Sequence, residues 1–357
     1  MIKSFDEVFE DATKLGVKIK TDEYHPIGKY QIIDQGQEAV AGYSDLEDGV
    51  FENVPAIVFG DHTRIVKYVD QPFFLGADGV KVLRSRFKDA NYRYLYYALK
   101  SVKIPNTGYN RHFKWLKEAK IYYPNSEEQS KIVSILDGIS SVIEHRQQEL
   151  QKLDELVKAR FVELFGDCKS MVSMNELCSI ITDGTHQPPR FQESGIPFIF
   201  VSNLVGNVVT YNAEKFISED TYAELYKRTP IEIGDLLLST VGSYGHPAVV
   251  TEDRKFLFQR HIAYLKPRHN MVNSFYLHSA LLAPDGQRQI EEKVKGIAQK
   301  TLNLSEIKKI VVPLPTIEEQ NQFEKFVNQI DKSKVAVQKA LDEAQLLFDS
   351  LMQKYFG

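Results

Sequence analysis

One segment in the middle of the chain recurs at its end, and this duplication restricts the possible folds more than any other feature. The first copy, 124–166, begins PNSEEQSKI and ends ELFG, while the second copy, 315–357, begins PTIEEQNQF and ends KYFG. Glu127 matches Glu318 and Phe165 matches Phe356, an offset of 191 residues in both cases. An ungapped match over this length indicates an internal duplication.

Each copy predicts one long helix. Asn125 and Thr316 stand at the N-cap position, and Glu128 and Glu319 follow three residues later, which is the arrangement of a capping box. Gly166 follows the last apolar residue of the first copy, where a left-handed residue commonly ends a helix. At 1.5 Å per residue, such a helix is roughly 60 Å long.

Apolar residues recur every seven positions in both copies, as two interleaved series. Two unrelated amphipathic core helices are the simpler interpretation, but the shared register favours mutual packing in a coiled-coil seam. The predicted seam consists of Ile132, Leu136, Ile139, Ile143, Leu150, Leu153, Val157, Leu164, Phe323, Val327, Ile330, Val337, Leu341, Phe348, Leu351 and Tyr355. Arg146, Arg160 and Lys334 also fall at seam positions. They either extend from the seam to solvent, or pair with carboxylates of the other helix, or mark places where partner subunits pack.

The connectivity of the chain sets the direction of the two helices. Each helix follows a globular segment, so pairing along the seam sends the second helix back toward the first segment. The sequence therefore predicts an antiparallel pair within a pseudo-two-fold internal repeat. We expect a first globular domain at 1–110, a central region with a long helix at 111–166, a second globular domain at 167–302 and a C-terminal region with a long helix at 303–357.

Both globular segments are rich in short β-branched and aromatic runs. PAIVFG and GVKVLRS in the first segment, and GDLLLSTVG and HPAVVTE in the second, are bounded by Gly, Asp and Pro, which is typical of strands. NYRYLYYAL and NSFYLHSAL occupy matching places and predict a helix in each segment. We therefore expect an α+β fold with a mostly antiparallel sheet in each domain.

Composition points to a cytoplasmic protein that does not bind DNA strongly by charge alone. The formal net charge is −4, whereas proteins that neutralise many phosphates usually carry a basic excess. Cys168 and Cys178 form no disulfide or metal-binding pattern, and the N-terminal sequence has no apolar core of a secretory signal. No apolar run reaches the length of a membrane span.

The segments flanking the predicted helices resemble those of one known family. VVPLPTIEEQNQF and YYPNSEEQSKI, together with DGTH at 183–186 and QKTLNL at 299–304, are similar to segments of the specificity (S) subunit of type I restriction-modification systems. The duplicated architecture is more specific evidence for this resemblance than any single motif.

The resemblance implies a non-catalytic reader of double-stranded DNA. Two target recognition domains would each read one half of a split, asymmetric site, and the two helices would set the gap between the halves. Two methyltransferase subunits would dock along the helices and methylate adenine N6 with S-adenosylmethionine, so this chain would bind no cofactor itself. A motor and nuclease subunit would join for restriction.

Residues that contact the edges of DNA bases are expected to be polar and to lie on loops between strands. In the first domain the candidates are Tyr43, Ser44, His62, Thr63, Arg64, Lys67, Arg84 and Arg86. In the second domain they are His186, Gln187, Arg190, Ser239, Thr240, Ser243, Tyr244, Gln259, Arg260 and His261. Each of these could equally be an ordinary polar surface residue, and only the clustering between strands favours DNA contact.

The sequence shows no recognisable catalytic or metal-binding motif. Asp285 with Glu291 and Lys293 resembles a nuclease motif, but QRQIEEKVKG has a helical pattern, and no glycine-rich cofactor loop precedes a helix. The alternative to DNA recognition is a coiled-coil scaffold whose end domains bind proteins. An apolar flank on the helices also predicts self-association when partners are absent; it comprises Ile135, Val142, Leu156, Phe161, Phe326, Leu346 and Met352.

Overall fold

The chain divides into two compact units. A computed structural model describes residues 1–76, 78–108, 110–296 and 299–357. The first unit contains residues 1–147 and 339–357, and the second contains 148–338. Across the described ranges, no helix combines the length and the hydropathy that crossing a bilayer requires.

The first unit consists mainly of short strands, with short helices near its start and before the first long helix. Its elements are β1 (Ile2–Ser4), α1 (Phe5–Val8), β2 (Phe9–Asp11), β3 (Tyr30–Ile33), β4 (Gly42–Ser44), β5 (Ala56–Gly60), β6 (Val66–Val69), β7 (Phe73–Leu75), β8 (Val80–Ser85), α2 (Tyr92–Lys100), α3 (Phe113–Lys117), β9 (Lys120–Tyr122) and α4 (Ser126–Phe165). The helix α4 continues into the second unit.

The second unit repeats this order with two additional helices, α6 and α8. Its elements are β10 (Met171–Ser173), α5 (Met174–Leu177), β11 (Cys178–Asp183), β12 (Ile196–Ile199), β13 (Lys215–Ile217), α6 (Glu219–Leu225), β14 (Leu236–Ser239), β15 (Pro247–Val249), β16 (Leu257–Phe258), β17 (Ile262–Pro267), α7 (Ser274–Leu282), α8 (Pro284–Lys293), α9 (Leu304–Ile307), β18 (Val311–Pro313) and α10 (Ile317–Phe356). The end of α10 belongs to the first unit.

The two units share one sheet topology. The strand order β2-β8-β5-β6 in the first unit corresponds to β11-β17-β14-β15 in the second, and β4-β3-β7 corresponds to β13-β12-β16. The pairs β3–β7 and β12–β16 are parallel, and the other strand pairs are antiparallel. The predicted α+β class with an internal repeat is therefore confirmed.

Equivalent side chains fix the same helix in both units. Asn91 caps α2 by accepting from the amide of Tyr94 at 3.1 Å, and Asn273 caps α7 by accepting from the amide of Tyr276 at 3.1 Å. The hydroxyl of Tyr94 donates to the carbonyl of Tyr122 at 2.6 Å, and that of Tyr276 donates to the carbonyl of Pro313 at 2.7 Å. These tyrosines are fully buried, so each bond joins the helix to the strand that leads into a long helix.

The long helices begin where the capping residues predict. The amide of Glu128 donates to Asn125 Oδ1 at 2.9 Å, and Thr316 and Glu319 form a reciprocal capping box, with the Thr316 amide 2.9 Å from Glu319 Oε2. The end of α4 differs from expectation, because Gly166 has no positive φ. Its amide still donates to the Val162 carbonyl at 2.8 Å, and a Cβ at Gly166 would lie only 2.6 Å from that oxygen. Glycine is required here by this close approach.

Within each unit the two long helices pack in opposite directions. In the first unit, Leu136 near the start of α4 shares a core with Phe348 near the end of α10. In the second unit, Phe161 near the end of α4 contacts Phe323 near the start of α10, with ring centroids 5.6 Å apart. The predicted antiparallel pairing is therefore confirmed in each unit. Lys334 of α10 also pairs with Asp154 of α4 at 2.6 Å.

The seam departs from a strict heptad near the end of α4. Leu164 is 46% exposed, whereas Phe161 and Phe165 are each 4% exposed and take the buried positions. A straight helix has 3.6 residues per turn and drifts by about 20° per heptad relative to a strict repeat, so the buried stripe moves to neighbouring residues. Phe161 is thus a core residue and not part of an exposed flank. The other predicted seam residues are buried or half-buried.

Candidate nucleic-acid interface

Three strand ends meet at one edge of the second unit. Asp183 ends β11 opposite Ala263, and Ser239 ends β14 opposite Ile262, the first residue of β17. The loops that continue from these ends are 184–190, 240–246 and 259–261, and we call them the second loop edge. They carry the predicted residues His186, Gln187, Arg190, Thr240, Ser243, Tyr244, Gln259, Arg260 and His261, so the structure brings the second set together.

A groove of about 270 Å³ lies in the second loop edge. Asp183, Thr240, Arg260 and His261 line it, together with the segment that leads into α9. The pKa of His261 is lowered by partial burial and by the adjacent positive charge of Arg260, whose Nε lies 3.4 Å from His261 Nε2. His261 is therefore a neutral hydrogen-bonding group at neutral pH, while Arg260 is exposed and charged.

Asp183 organises the basic residues around this groove. One carboxylate oxygen lies 2.8 Å from His186 Nε2, and the other accepts from Arg228 Nη2 at 2.8 Å. The Asp183 side chain is 18% exposed, whereas those of His186 and Arg228 are each 51% exposed. A half-enclosed carboxylate thus fixes two exposed donors. The sequence reasoning missed this role, although Asp183 begins the DGTH motif.

The loop after β14 is held by a hydrogen bond to a buried serine and by a hydrogen bond to α8. The Ser239 hydroxyl is fully buried and accepts from the amide of His246 at 2.9 Å. The Tyr244 hydroxyl donates to Glu291 of α8, and Lys300 lies 3.1 Å from the same carboxylate, so these two hydrogen bonds lower the pKa of Glu291. Ser239 therefore supports the loop from inside the fold, while Ser243 stays exposed.

The corresponding edge of the first unit is built around Gln35. Gly60 at the end of β5 pairs with Val80 at the start of β8, which places the following turn at this edge. Gln35 Nε2 donates to the Asp78 carbonyl at 3.0 Å, and its Oε1 accepts from the His62 amide at 3.1 Å. We call the loops 12–18 and 61–65, with Asp78, the first loop edge. It contains the predicted residues His62, Thr63 and Arg64.

The other predicted residues of the first unit lie elsewhere. Arg84 is opposite Glu10, toward the far end of β8, and its Nε donates to Tyr92 at 3.2 Å. Arg86 donates to the carbonyl of Asp6 at 2.8 Å. Because β8 starts at the first loop edge and runs away from it, these arginines are not brought together with His62.

Three more predicted residues of this unit lie in strands rather than on loops. Lys67 is 8% exposed and donates to the carbonyl of Glu38 at 2.6 Å, beside Asp34. Ser44 is 4% exposed and accepts from the Leu46 amide at 3.3 Å, while Tyr43 is half-buried in β4. An alignment of the strands of the two repeats places 12–18 and Asp78, instead of these residues, at the edge that corresponds to the second loop edge.

Comparison with known proteins agrees with this architecture. A family model described as "Type I restriction modification DNA specificity domain" matches residues 1–155 and 170–344. The EcoBI type I restriction enzyme specificity subunit of Escherichia coli is 32% identical over 177 residues, covering 48% of this chain and 37% of that protein. The EcoR124I/EcoR124II specificity subunit of Escherichia coli is 21% identical over 356 residues, covering 90% and 84%. This chain thus spans about a third of the first relative and most of the second.

Two solved structures share the fold across the whole chain. The S subunit of a type I restriction-modification system from M. genitalium superposes with a TM-score of 0.51 at 18% identity, covering 100% of this chain and 96% of that one. A chain from a structure describing complex assembly and conformational transition of the type I system gives 0.53 at 16% identity, covering 100% and 97%. Since the family model matches most of the sequence, in both repeats, the chain belongs to the type I restriction modification DNA specificity family.

Proposed function

We propose that the chain is the DNA-recognition subunit of a type I restriction-modification complex, in which each unit reads one half of a bipartite, asymmetric site. One observation carries this proposal. The two units share a strand order, yet their loop edges present different side chains, such as His62 and Thr63 in the first and Tyr244 and Arg260 in the second. One framework with two different sets of loops fits a reader of two different half-sites.

The exposed residues of the loop edges have the chemistry that base recognition needs. Arg pairs with guanine O6 and N7, and Gln pairs with adenine N6 and N7. Gln187, Arg190 and Arg260 are exposed at the second loop edge, and Thr63 is exposed at the first. Ser44, Lys67, Ser239 and Thr240 are buried and internally bonded, so we assign them a supporting role.

The long helices have a separate role in this proposal. Each contains 40 residues, and together they would set the gap between the half-sites and dock two methyltransferase subunits. S-adenosylmethionine would bind to those subunits, and a motor and nuclease subunit would complete the complex. The chain itself would have no catalytic site and would act in the cytoplasm. The names of the relatives, which are specificity subunits of restriction enzymes, support this assignment.

Exposed apolar residues on the helices suggest what happens without partners. Val142, Leu156 and Leu346 are 45%, 46% and 72% exposed. Such side chains favour association with another protein surface. The isolated chain would therefore self-associate at high concentration, and adding the methyltransferase subunit would compete with that association. Light scattering with and without that subunit measures both effects.

Selection from a random duplex pool tests the proposed function. The chain, purified with its methyltransferase subunit, should enrich one split sequence with a fixed gap, and binding should weaken as salt rises. Mapping of methylated adenines in a host that expresses both subunits should return the same sequence. An unenriched pool would favour the coiled-coil scaffold instead, and turnover by the chain alone would identify an enzyme.

A further inference from the structure

Three lysines surround two aromatic side chains on the short helix α3 of the first unit. The ammonium groups of Lys81 and Lys117 lie 5.1 Å and 5.3 Å from the centre of the Phe113 ring. The ammonium of Lys114 lies 4.1 Å from the centre of the Trp115 ring. We call Lys81, Lys114 and Lys117 the α3 lysine cluster. Two of the three ammonium groups therefore contact the same ring.

Little negative charge compensates this cluster. Lys81 pairs with Asp11 at 3.1 Å. In the ranges that the structure describes, Lys114 and Lys117 have no carboxylate oxygen within 4.0 Å, and both are exposed. Aromatic rings attract cations through their quadrupole, but they do not cancel the charge. The cluster therefore presents two uncompensated positive charges to solvent.

The equivalent helix of the second unit has a different charge balance. Glu306 of α9 stands at the position of Trp115 in the duplicated sequence. Its carboxylate lies 3.0 Å from the ammonium of Lys309 and 3.7 Å from that of Lys295. These ion pairs compensate lysines that would otherwise be free to attract an anion. In the duplicated sequence Lys308 matches Lys117 and is also exposed, whereas Ser305 matches Lys114. The pair of uncompensated lysines is therefore found on α3, but one of its two charges recurs in the second unit.

Hydrogen bonds fix α3 directly beside the first loop edge. Asp61 is 3% exposed and immediately precedes His62. One of its carboxylate oxygens accepts from the Phe113 amide at 2.7 Å, and its carbonyl accepts from the His112 amide at 2.7 Å. Asp61, which precedes His62 and Thr63, thus bonds to the first turn of α3. A duplex that contacts His62 and Thr63 would pass close to this helix.

We infer that the α3 lysine cluster binds DNA phosphates that flank the half-site read by the first unit. This inference rests on the proposed function and adds a phosphate-binding surface outside the predicted base-reading residues. Lysine ammonium groups neutralise phosphates without selecting a base, so the cluster would hold the duplex against the loop edge and leave the sequence preference to the loops. Each phosphate contact releases a counterion and steepens the salt dependence of binding.

The salt dependence of a double variant tests the inference. In the full chain purified with its methyltransferase subunit, Lys114→Gln with Lys117→Gln should reduce the magnitude of the slope of log K against log salt by about 2, or about 1 per lysine, with the selected sequence unchanged. Lys114→Arg with Lys117→Arg should retain the slope. Lys88→Gln is the matched control, because Lys88 is an exposed lysine beyond the far end of β8. Each single substitution is measured as well, in case the double variant is unstable.

Trp115 provides a second measurement at the same place, because it is the only tryptophan in the chain. With the chain alone at low salt, bound duplex should reduce quenching of its fluorescence by acrylamide, a neutral quencher, and the glutamine variants should need more duplex for the same reduction. An unchanged salt slope in those variants, with normal binding by the parent complex, overturns the inference alone. A parent complex that shows no salt-dependent duplex binding overturns the proposed function and, with it, this inference.

Discussion

The backbone amide of Asn273, the N-cap of α7, donates a hydrogen bond to Gln320 Oε1 of α10 at 2.8 Å. The Gln320 amide group also donates to the carbonyls of Pro315 and Met271 at 3.0 Å and 3.2 Å. Gln320 is fully buried, and Gln129 occupies the same position in the first repeat with a bond to the Pro124 carbonyl at 2.9 Å. The glutamine of each EEQ motif therefore bonds the start of a long helix to the segment that precedes it.

Replacing Gln320 by Ala should destabilise the second unit by about 1–3 kcal/mol, because the Asn273 amide and the Met271 carbonyl would lose their partner in a half-buried environment. The measurement is the free energy of unfolding in urea. Gln322→Ala is the matched control, since Gln322 is an exposed glutamine of the same helix. Equal stability of the two variants would contradict the anchoring role.

Replacing Asp183 by Asn should relax recognition of one half-site only. Asn would lose the negative charge that holds both His186 and Arg228, so the loop 184–190 would no longer be fixed over the groove. Selection from a random pool should then show weaker preference in the second half-site and an unchanged first half-site. Asp253→Asn, at an exposed position, is the control. Loss of preference in both halves would mean that Asp183 acts on the whole fold.

Acid should destabilise the second unit through His278. Its ring is half-buried beside a cavity of about 280 Å³, and this burial is the main cause that lowers its pKa. The positive charge of Lys334 lowers the pKa further. Asp331 and the Asn207 carbonyl, which lies 3.0 Å from Nε2, act in the opposite direction. The folded pKa is below the unfolded value of about 6.5, so the unfolded state takes up a proton first as the pH falls. The free energy of unfolding should therefore fall as the pH is lowered below about 6.5.

The His278→Gln variant isolates this effect, because glutamine can still donate a hydrogen bond but does not titrate near pH 6. The difference in unfolding free energy between parent and variant should change with a slope of at most about 1.4 kcal/mol per pH unit below pH 6.5. His269→Gln, at an exposed position, serves as the control. Parallel pH profiles for the parent and the His278 variant would show that folding does not lower the pKa of His278.

Exchanging residues 171–302 for the equivalent segment of another family member should replace one half-site and leave the other intact. The segment contains the complete second loop edge, and its first strand β10 must pair with β18 of the parent chain, so a family member with a matching β10 is chosen. Methylated-adenine mapping of the hybrid gives the result. A change in both halves would contradict independent reading by the two units and the domain boundaries drawn from the sequence.

The sequence predicted the features that depend on local or periodic patterns. The capping residues Asn125 and Thr316 are recognisable because the N-cap chemistry involves neighbours within three residues. The antiparallel helices follow from the duplicated register and the order of the segments. Leu164 was misplaced because a heptad read along the sequence does not show where a straight helix drifts from the strict repeat.

The candidate site was predicted less completely, because it depends on strand register and on long-range partners. Arg84 and His62 both follow apolar runs, yet β8 runs antiparallel to β5 and carries Arg84 away from the first loop edge. The roles of Gln35 and Asp183 depend on partners that fold next to them, such as the His62 amide and Arg228. Comparing the two repeats strand by strand recovers part of this information from the sequence.

Inserting one heptad into both long helices should change the gap between the half-sites without altering either half. Insertions after Ser141 in α4 and after Lys332 in α10 lie at matching positions of the duplication and preserve the seam register. Seven residues lengthen a helix by about 10.5 Å, which is about three base pairs of B-form duplex. Selection from a pool of varied gaps should show this shift. An insertion in α4 alone should break the register and reduce stability, whereas an unchanged gap in the double insertion would show that the helices do not set the spacing.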